Sequence, residues 1–204
     1  MKKIIIAIDS FKGCLTSAEA GKAAEKGIKS INPSCHTSVI PIADGGEGLL
    51  DVLITATKGK YITLSAHGPL MKMTKTHYGL SGNGRTAIIE MAAISGLPLV
   101  PIEQRNPMLT TTFGTGELIK DALNKGCRNF IIGIGGSATN DAGLGMLQAL
   151  GFRFLDKSGH TLGTGGQIME AVANIDTSGI HPALRETHFM VACDVANPFY
   201  GPDG

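Results

Sequence analysis

Residues 130–147, "FIIGIGGSATNDAGLGML", decide how the rest of the chain is read. The opening run is apolar and partly β-branched without polar alternation, the mark of a strand buried on both faces. Gly133, Gly135 and Gly136 then turn the chain, and the apolar residues that follow suit a helix. Strand, Gly-rich turn and helix in that order predict an α/β unit whose turn lets a ligand approach the backbone. Asn140 and Asp141 stand side by side at the mouth of that helix. A carboxylate there repels a phosphate unless a divalent cation lies between them, which is the usual arrangement in phosphoryl transfer. A helix cap facing water is the plainer use of Asp141, and this motif alone leaves both uses open.

Outward from that stretch, the first part of the chain alternates strand and helix. "KIIIAI" (3–8) reads as a buried strand, and "TSAEAGKAAEKGIKSI" (16–31) as a helix opened by a Thr16/Glu19 capping box, with Ala20, Ala24, Ile28 and Ile31 on one face. "HTSVIPI" (36–42) is a second strand and "LLDVLITAT" (49–57) a helix stopping near Gly59. Between 60 and 100 the pattern changes to polar alternation: "YITLSAH", "KMTKTHYGL" and "RTAIIEM", separated by the turns "GPLM" and "SGNG", predict antiparallel hairpins with one wet face. The α/β rhythm then returns with a helix over 114–126, the strand at 129–134 and a helix closed by Gly151. "FRFL" follows as a short strand, "GGQIMEAVANI" (165–175) as a helix and "THFMVAC" (187–193) as a strand. The expected fold class is α/β in two domains: 1–62 as the N-terminal part of a Rossmann-like parallel-sheet domain, incomplete in this chain, and 63–204 as a mixed-sheet domain truncated at its C-terminal side.

Bulk composition excludes several classes. Eighteen basic and seventeen acidic residues leave a formal charge of +1, with no long run of either sign, so nothing points to a nucleic-acid partner. The few aromatic residues argue the same way. Cys14, Cys35, Cys127 and Cys193 are far apart and the six histidines lack metal-ligand spacing, so a structural zinc site is not expected and reduced, buried thiols are. The start "MKKIIIAIDSFKG" has the charge and apolar run of a signal peptide, but Asp9 interrupts it too early, and it reads as the first strand. No segment nears the roughly 18 apolar residues that span a membrane, and a cytoplasmic protein is expected. Glycine alone is in excess: 28 of 204 residues, in clusters rather than at a fixed period, against a usual share of about 7%.

Four apolar runs end alike. They lead into Asp9, Asp44, Gly135-Gly136-Ser137 and Asp194, and open parallel sheets bind ligands beyond the carboxyl ends of their strands. Asp44, Gly45, Gly46 and Glu47 put two carboxylates among small residues, and Lys12 beside Asp9 and Ser10 suits a phosphate or a substrate carboxylate. "TTTFGTGEL" (110–118) offers hydroxyls and glycines at a helix start, and Arg105 suits a carboxylate. Gly133, Gly135 and Ala138 also match the dinucleotide fingerprint, with Asp156 at the ribose-binding distance. No P-loop, G-x-S-x-G elbow or H-E-x-x-H occurs.

With "DSFKG", "PIADGGEG", "TFGTGELI", "GIGGSATNDAGLGML" and "CDVANPFYGPDG" in this order, the chain resembles the bacterial type I glycerate kinase family, of the glycerate 2-kinase kind, over essentially all its residues. The resemblance implies ATP-dependent phosphorylation of D-glycerate, usually to 2-phosphoglycerate, with Mg²⁺, in a cleft between two α/β domains. By that likeness Asp9, Ser10, Lys12, Asp44, Gly45, Gly46, Glu47, Ser137, Thr139, Asn140, Asp141, Asp194 and Asn197 line the site. Members of the family are longer, so the chain is expected to be an N-terminal fragment. The expected roles are these. Asp44 or Asp194 takes the proton of the glycerate hydroxyl, with Lys12 as the third catalytic group. Gly45, Gly46, Gly135, Gly136, Ser137, Thr139 and Asn140 hold nucleotide phosphates. Asp9, Ser10, Lys12, Arg105 and Asn197 bind substrate, and Asp141 and Glu47 ligate Mg²⁺. Two rivals stand beside this reading: an NAD(P)-dependent dehydrogenase using residues 133–138 with Asp156, and a ligand-binding fragment without catalysis.

Overall fold

The computed structural model describes residues 3–11, 14–43, 45–46, 48–193 and 201–202; Lys12, Asp44, Glu47, Asp194 and Asn197 lie outside the described residues. Strand β1 (Lys3–Ile6) and strand β2 (His36–Val39) pair in parallel, joined by helix α1 (Ser17–Ile31). The capping box predicted for α1 is formed. Thr16 Oγ1 accepts the Glu19 amide at 3.2 Å, and Glu19 Oε2 accepts the Thr16 amide at 2.9 Å. Ala20 is buried on the packing face of α1, but Ile31, expected on that face, is 87% exposed. Nor is β1 buried on both faces, since Ile5 is 60% exposed. Among the described residues this two-stranded sheet has a helix to cover one face only.

The larger sheet has the order β3-β4-β5-β6-β9. Strand β3 (Lys60–His67), β4 (Met73–Leu80) and β5 (Thr86–Glu90) are antiparallel neighbours, as their polar alternation predicts. Strand β6 (Asn129–Gly133) pairs in parallel with β5 and with β9 (His188–Ala192). The sheet is therefore mixed. Its strands carry alternate residues to opposite faces, and the two faces meet different helices. Ile88 meets Leu50 and Ile54 of helix α2 (Leu49–Thr57). Ala87, Ile89, Phe130 and Ile132 meet Leu118, Ile119, Ala122 and Leu123 of helix α4 (Phe113–Asn124), with Ile94 of the one-turn helix α3 (Ala92–Ser95). Tyr78 is fully buried among them, and its hydroxyl donates to Asp121 Oδ2 at 2.8 Å. Burial pushes that phenol well above its ordinary pKa.

Helix α2 thus packs on the larger sheet although it precedes the expected boundary at residue 62, which itself falls inside β3. Helix α5 (Leu144–Ala149) lies on α4, with Gly116 against the Met146 carbonyl and Ala149. Gly126 and Gly151, predicted to close α4 and α5, take left-handed φ values of 91° and 102°.

Two expectations fail in the C-terminal third. Residues 165–175 are not a helix: a 3-10 turn over Gly166–Ala171 gives way to strand β8 (Asn174–Asp176), paired antiparallel with β7 (Arg153–Leu155). Gly165, at φ 89°, fixes an unhelical start, and the pairing of Ile175 with Phe154 outweighs local propensity. Strand β9, expected to be buried, leaves Met190 66% and Val191 55% exposed, because among the described residues only β6 flanks it. The thiols divide as well: Cys35 and Cys127 are buried, Cys14 and Cys193 exposed.

Leu118→Ala removes a fully buried side chain from the α4 face and should lower unfolding stability by about 2–5 kcal/mol. Ile31→Ala, at the exposed end of α1, should stay within about 0.5 kcal/mol. Urea titrations of both variants check the contrast.

Candidate functional site

Three parallel strands finish level with one another. Glu90 of β5 is in register with Gly133 of β6, and Gly133 with Ala192 of β9. The 45–46 segment crosses these ends at backbone contact. A Cβ on Gly45 would lie 2.8 Å from the Ala192 carbonyl oxygen, one on Gly133 2.6 Å from the Gly45 carbonyl oxygen, and one on Gly135 2.7 Å from the Gly46 Cα. Gly45 also has φ 93°, where a side chain is strained. These glycines serve the crossing of two loops, and sequence reading had assigned Gly45, Gly46 and Gly135 to phosphates. The crossing also brings the loop after β2 against the exit of β9.

Glu90 is the residue that sequence reading missed. Its Oε1 accepts the Leu50 amide at 2.8 Å, with the Gly48 amide also bonded to the carboxylate. Gly48 is the N-cap of α2 and has no side chain to offer, so a strand residue caps the helix from outside. Burial pushes the Glu90 carboxyl above its ordinary value, against the lowering effect of those amides. The signal lay in "IIEM", a fourth apolar run ending in an acid. Glu90 borders a cavity of about 430 Å³ that also receives Ser10, Gly48, Asp51 and His77. Asp51 accepts the Tyr61 hydroxyl at 2.6 Å, and this bond raises the phenol to about 12. Ser10 thus reaches the cavity, while Asp9 Oδ1 takes the Ser10 amide at 2.6 Å. Ser17 stitches the exits of β1 and β2, its hydroxyl donating to the Ile8 carbonyl at 2.6 Å and accepting the Ile42 amide at 3.0 Å.

The 133–139 turn is held on one side by backbone bonds: Met91 N–H to the Gly133 carbonyl at 2.9 Å, Leu97 N–H to Gly136 at 3.0 Å, and Ala138 N–H to Ser95 at 2.9 Å. Ser137 and Thr139 pair through their hydroxyls at 2.8 Å. Both line a second hollow of about 230 Å³ together with Arg105, and Asn140 is exposed beside them. The dinucleotide rival loses its context here. β6 ends at Gly133, but α5 begins only at Leu144, so the turn does not deliver a ligand to a helix N-terminus. Asp156 is used in a tight turn, its Oδ1 accepting the amides of Ser158 at 2.8 Å and His160 at 2.9 Å; these bonds, His160's first, lower its pKa.

Asp141 is neither a water-facing cap nor an open metal ligand. It is 1% exposed, and both oxygens are engaged by the chain. Oδ2 accepts the amides of Thr112 at 2.8 Å and Gly145 at 3.1 Å and the Thr111 hydroxyl at 3.1 Å; Oδ1 accepts the Gly143 amide at 3.1 Å, and the Thr112 hydroxyl lies 3.1 Å from it. The carboxylate joins the start of α4 to the start of α5, and an ion would have to displace these donors. Among the described residues no group of three or more His, Cys, Asp or Glu is placed to hold a metal.

Comparison with known proteins decides the family. The model of the glycerate kinase family matches residues 4–204. The chain belongs to the glycerate kinase family. It is 54% identical over 202 residues to a glycerate kinase of Bacillus subtilis (strain 168), covering 99% of this chain and 53% of that protein. A glycerate 2-kinase of Escherichia coli (strain K12) is 49% identical over the same shares. The crystal structure of a Salmonella typhimurium LT2 protein assigned as glycerate kinase 2 superposes with a TM-score of 0.86 at 48% identity, covering 100% of this chain and 54% of that one. The chain thus spans about half the length of the curated relatives it matches. Among its described residues no helix is long and apolar enough to cross a membrane.

Asp141→Ala should cost about 2–4 kcal/mol in urea unfolding with no ligand or metal present, because it strands buried donors from two loops. A plain metal ligand would show no such loss. For Glu90 the sign runs oppositely to that of an ordinary salt-bridged acid. Its folded pKa is raised, so its favourable contribution is complete below the unfolded value of about 4.3 and fades as pH rises through the folded value. Glu90→Gln, which keeps an acceptor for Leu50, should therefore gain stability relative to the parent between pH 4 and pH 7. Denaturation midpoints across that range test it.

Proposed function

We propose that the protein phosphorylates D-glycerate with ATP, giving 2-phosphoglycerate, in the cytoplasm, where the donor is made. The observation that carries this is the crossing of the 45–46 loop over the level ends of β6 and β9, in a chain of the glycerate kinase family. The crossing packs the neighbours of Asp44 and Asp194 together, beside the cavity that Ser10 and Glu90 line. In the reaction the C2 hydroxyl oxygen of glycerate attacks the terminal phosphorus of ATP, the bond to the ADP oxygen breaks, and the hydroxyl proton passes to a carboxylate of Asp44 or Asp194. Lys12 supplies a positive charge to the transferring group. Asp9, Ser10 and Asn197 orient glycerate, and the residues 135–140 border the nucleotide's phosphates. Positioning and charge neutralisation supply the rate enhancement, since phosphoryl transfer asks little covalent chemistry of the protein.

Mg²⁺ accompanies ATP in this reading, but the described residues make no site for it. Asp141 is saturated, which leaves Glu47 as the ligand suggested by sequence. A second reading is ligand binding without catalysis, with Asp141, the candidate metal ligand, held by the chain's own donors. It predicts Mg²⁺-dependent nucleotide binding with no turnover.

ADP release on adding D-glycerate and ATP, followed in this chain and in the same chain fused to the remaining half of the Bacillus subtilis relative, should show turnover in at least the fused protein. Asp44→Asn or Asp194→Asn should then lower kcat by about 10²–10⁴-fold. Near-parental kcat in both variants would remove the proton-accepting role from this pair.

A further inference from the structure

Two hollows, one lined by Glu90 at the end of β5 and one by residues 137–139 of the 133–139 turn, differ in charge. The 430 Å³ cavity beside Glu90 is lined by the carboxylates of Glu19, Asp51 and Glu90, and its described lining holds no Lys or Arg. The 230 Å³ hollow at the far end of the turn holds Arg105 as its one charged side chain. The described lining of the first offers an anion no ammonium or guanidinium, and the second offers the Arg105 guanidinium.

The second hollow is also built. Arg105 Nε donates to the carbonyl of Val100, a residue 2% exposed, at 3.3 Å. Among the described residues its terminal nitrogens have no hydrogen-bond partner and no carboxylate pairs with it, which leaves the guanidinium fork open to a planar or tetrahedral oxyanion. Opposite it, the fully buried Thr110 donates its hydroxyl to the Ala138 carbonyl at 2.7 Å, and Ala138 N–H donates to Ser95, so the 137–139 wall is fixed from both sides. Ser137 and Thr139 line this hollow, their hydroxyls paired at 2.8 Å and the Thr139 amide donating to Ser137 Oγ at 3.0 Å.

We propose that Arg105, Ser137 and Thr139 form a single oxyanion subsite, which takes the carboxylate of the hydroxy acid or a phosphate group. Sequence reading divided these residues between substrate and nucleotide. The fold places them around one space, so they serve one anionic group. The subsite deepens the kinase reading and rests on it for the choice of ligands.

Titration of the ¹⁵N-labelled chain with D-glycerate and, separately, with inorganic phosphate, at constant ionic strength, tests it by NMR. The amides of Ser137, Ala138 and Thr139 and the Arg105 Nε–H should shift together and saturate. Arg105→Ala should weaken that binding at least tenfold, and Arg105→Lys, which keeps the charge but not the fork, should weaken it less. A response to glycerate alone assigns the subsite to the carboxylate, and a response to phosphate alone assigns it to a phosphate group. A response to both with mutual competition confirms one shared oxyanion space. Unmoved 137–139 amides with either anion, or equal affinity in Arg105→Ala, overturns the proposal. ADP release measured in parallel on the fused protein separates the two claims. Turnover with unchanged KM for both substrates in Arg105→Ala ends the subsite and spares the kinase reading. Anion binding at these residues without turnover spares the subsite and ends the kinase reading.

Discussion

Two loops pass each other at the ends of β6 and β9 with no room for a side chain between them. Gly133 and Gly135 meet Gly45 and Gly46, and Gly45 meets the Ala192 carbonyl, at distances that a Cβ would make repulsive. Interiors pack at crystal-like density and do not open to admit a methyl group without shifting their neighbours. The crossing therefore sets where the loop after β2 stands relative to the larger sheet. It also sets the height of α2, whose N-terminus begins just beyond the crossing and is capped by Glu90. The 45–46 segment and the exits of β6 and β9 are held together by this contact.

The buried polar groups do a related job. Asp141, Thr111, Thr112 and Thr115 are all at most 5% exposed, yet each has partners. A desolvated carboxylate is costly alone and tolerable when its lone pairs are all used. Here one carboxylate ties the starts of α4 and α5 together, which keeps the turn before α5 from relaxing toward solvent. Backbone bonds to 91–97 hold the same turn from the other side. A rigid turn is what a transfer reaction needs of a wall, because positional error at the reacting groups directly raises the barrier.

The two hollows carry side chains of opposite charge. Glu19, Asp51 and Glu90 line the larger cavity and Arg105 the smaller. Walls of different charge favour one orientation of an ionic ligand over another.

Much of this was legible in the residues. Alternation in "KMTKTHYGL" gave antiparallel pairing, unbroken apolar runs gave the parallel strands, and Thr16 with Glu19 announced the start of α1, because each is a local pattern fixed by backbone periodicity or capping chemistry. The motifs in order also carried the family. Other features were decided only in three dimensions. Residues 165–175 became a 3-10 turn and a strand because β7 offered a partner, and α2 went to the larger sheet because Ile88 offered a face. Asp141 turned from a candidate metal ligand into a buried junction, and Glu90 from an unremarked strand residue into the cap of a distant helix. Sequence determines which groups are available at a strand end, since spacing along the chain fixes their order. What each group touches depends on segments far away in the chain arriving at the same place, and only the packed fold brings them there.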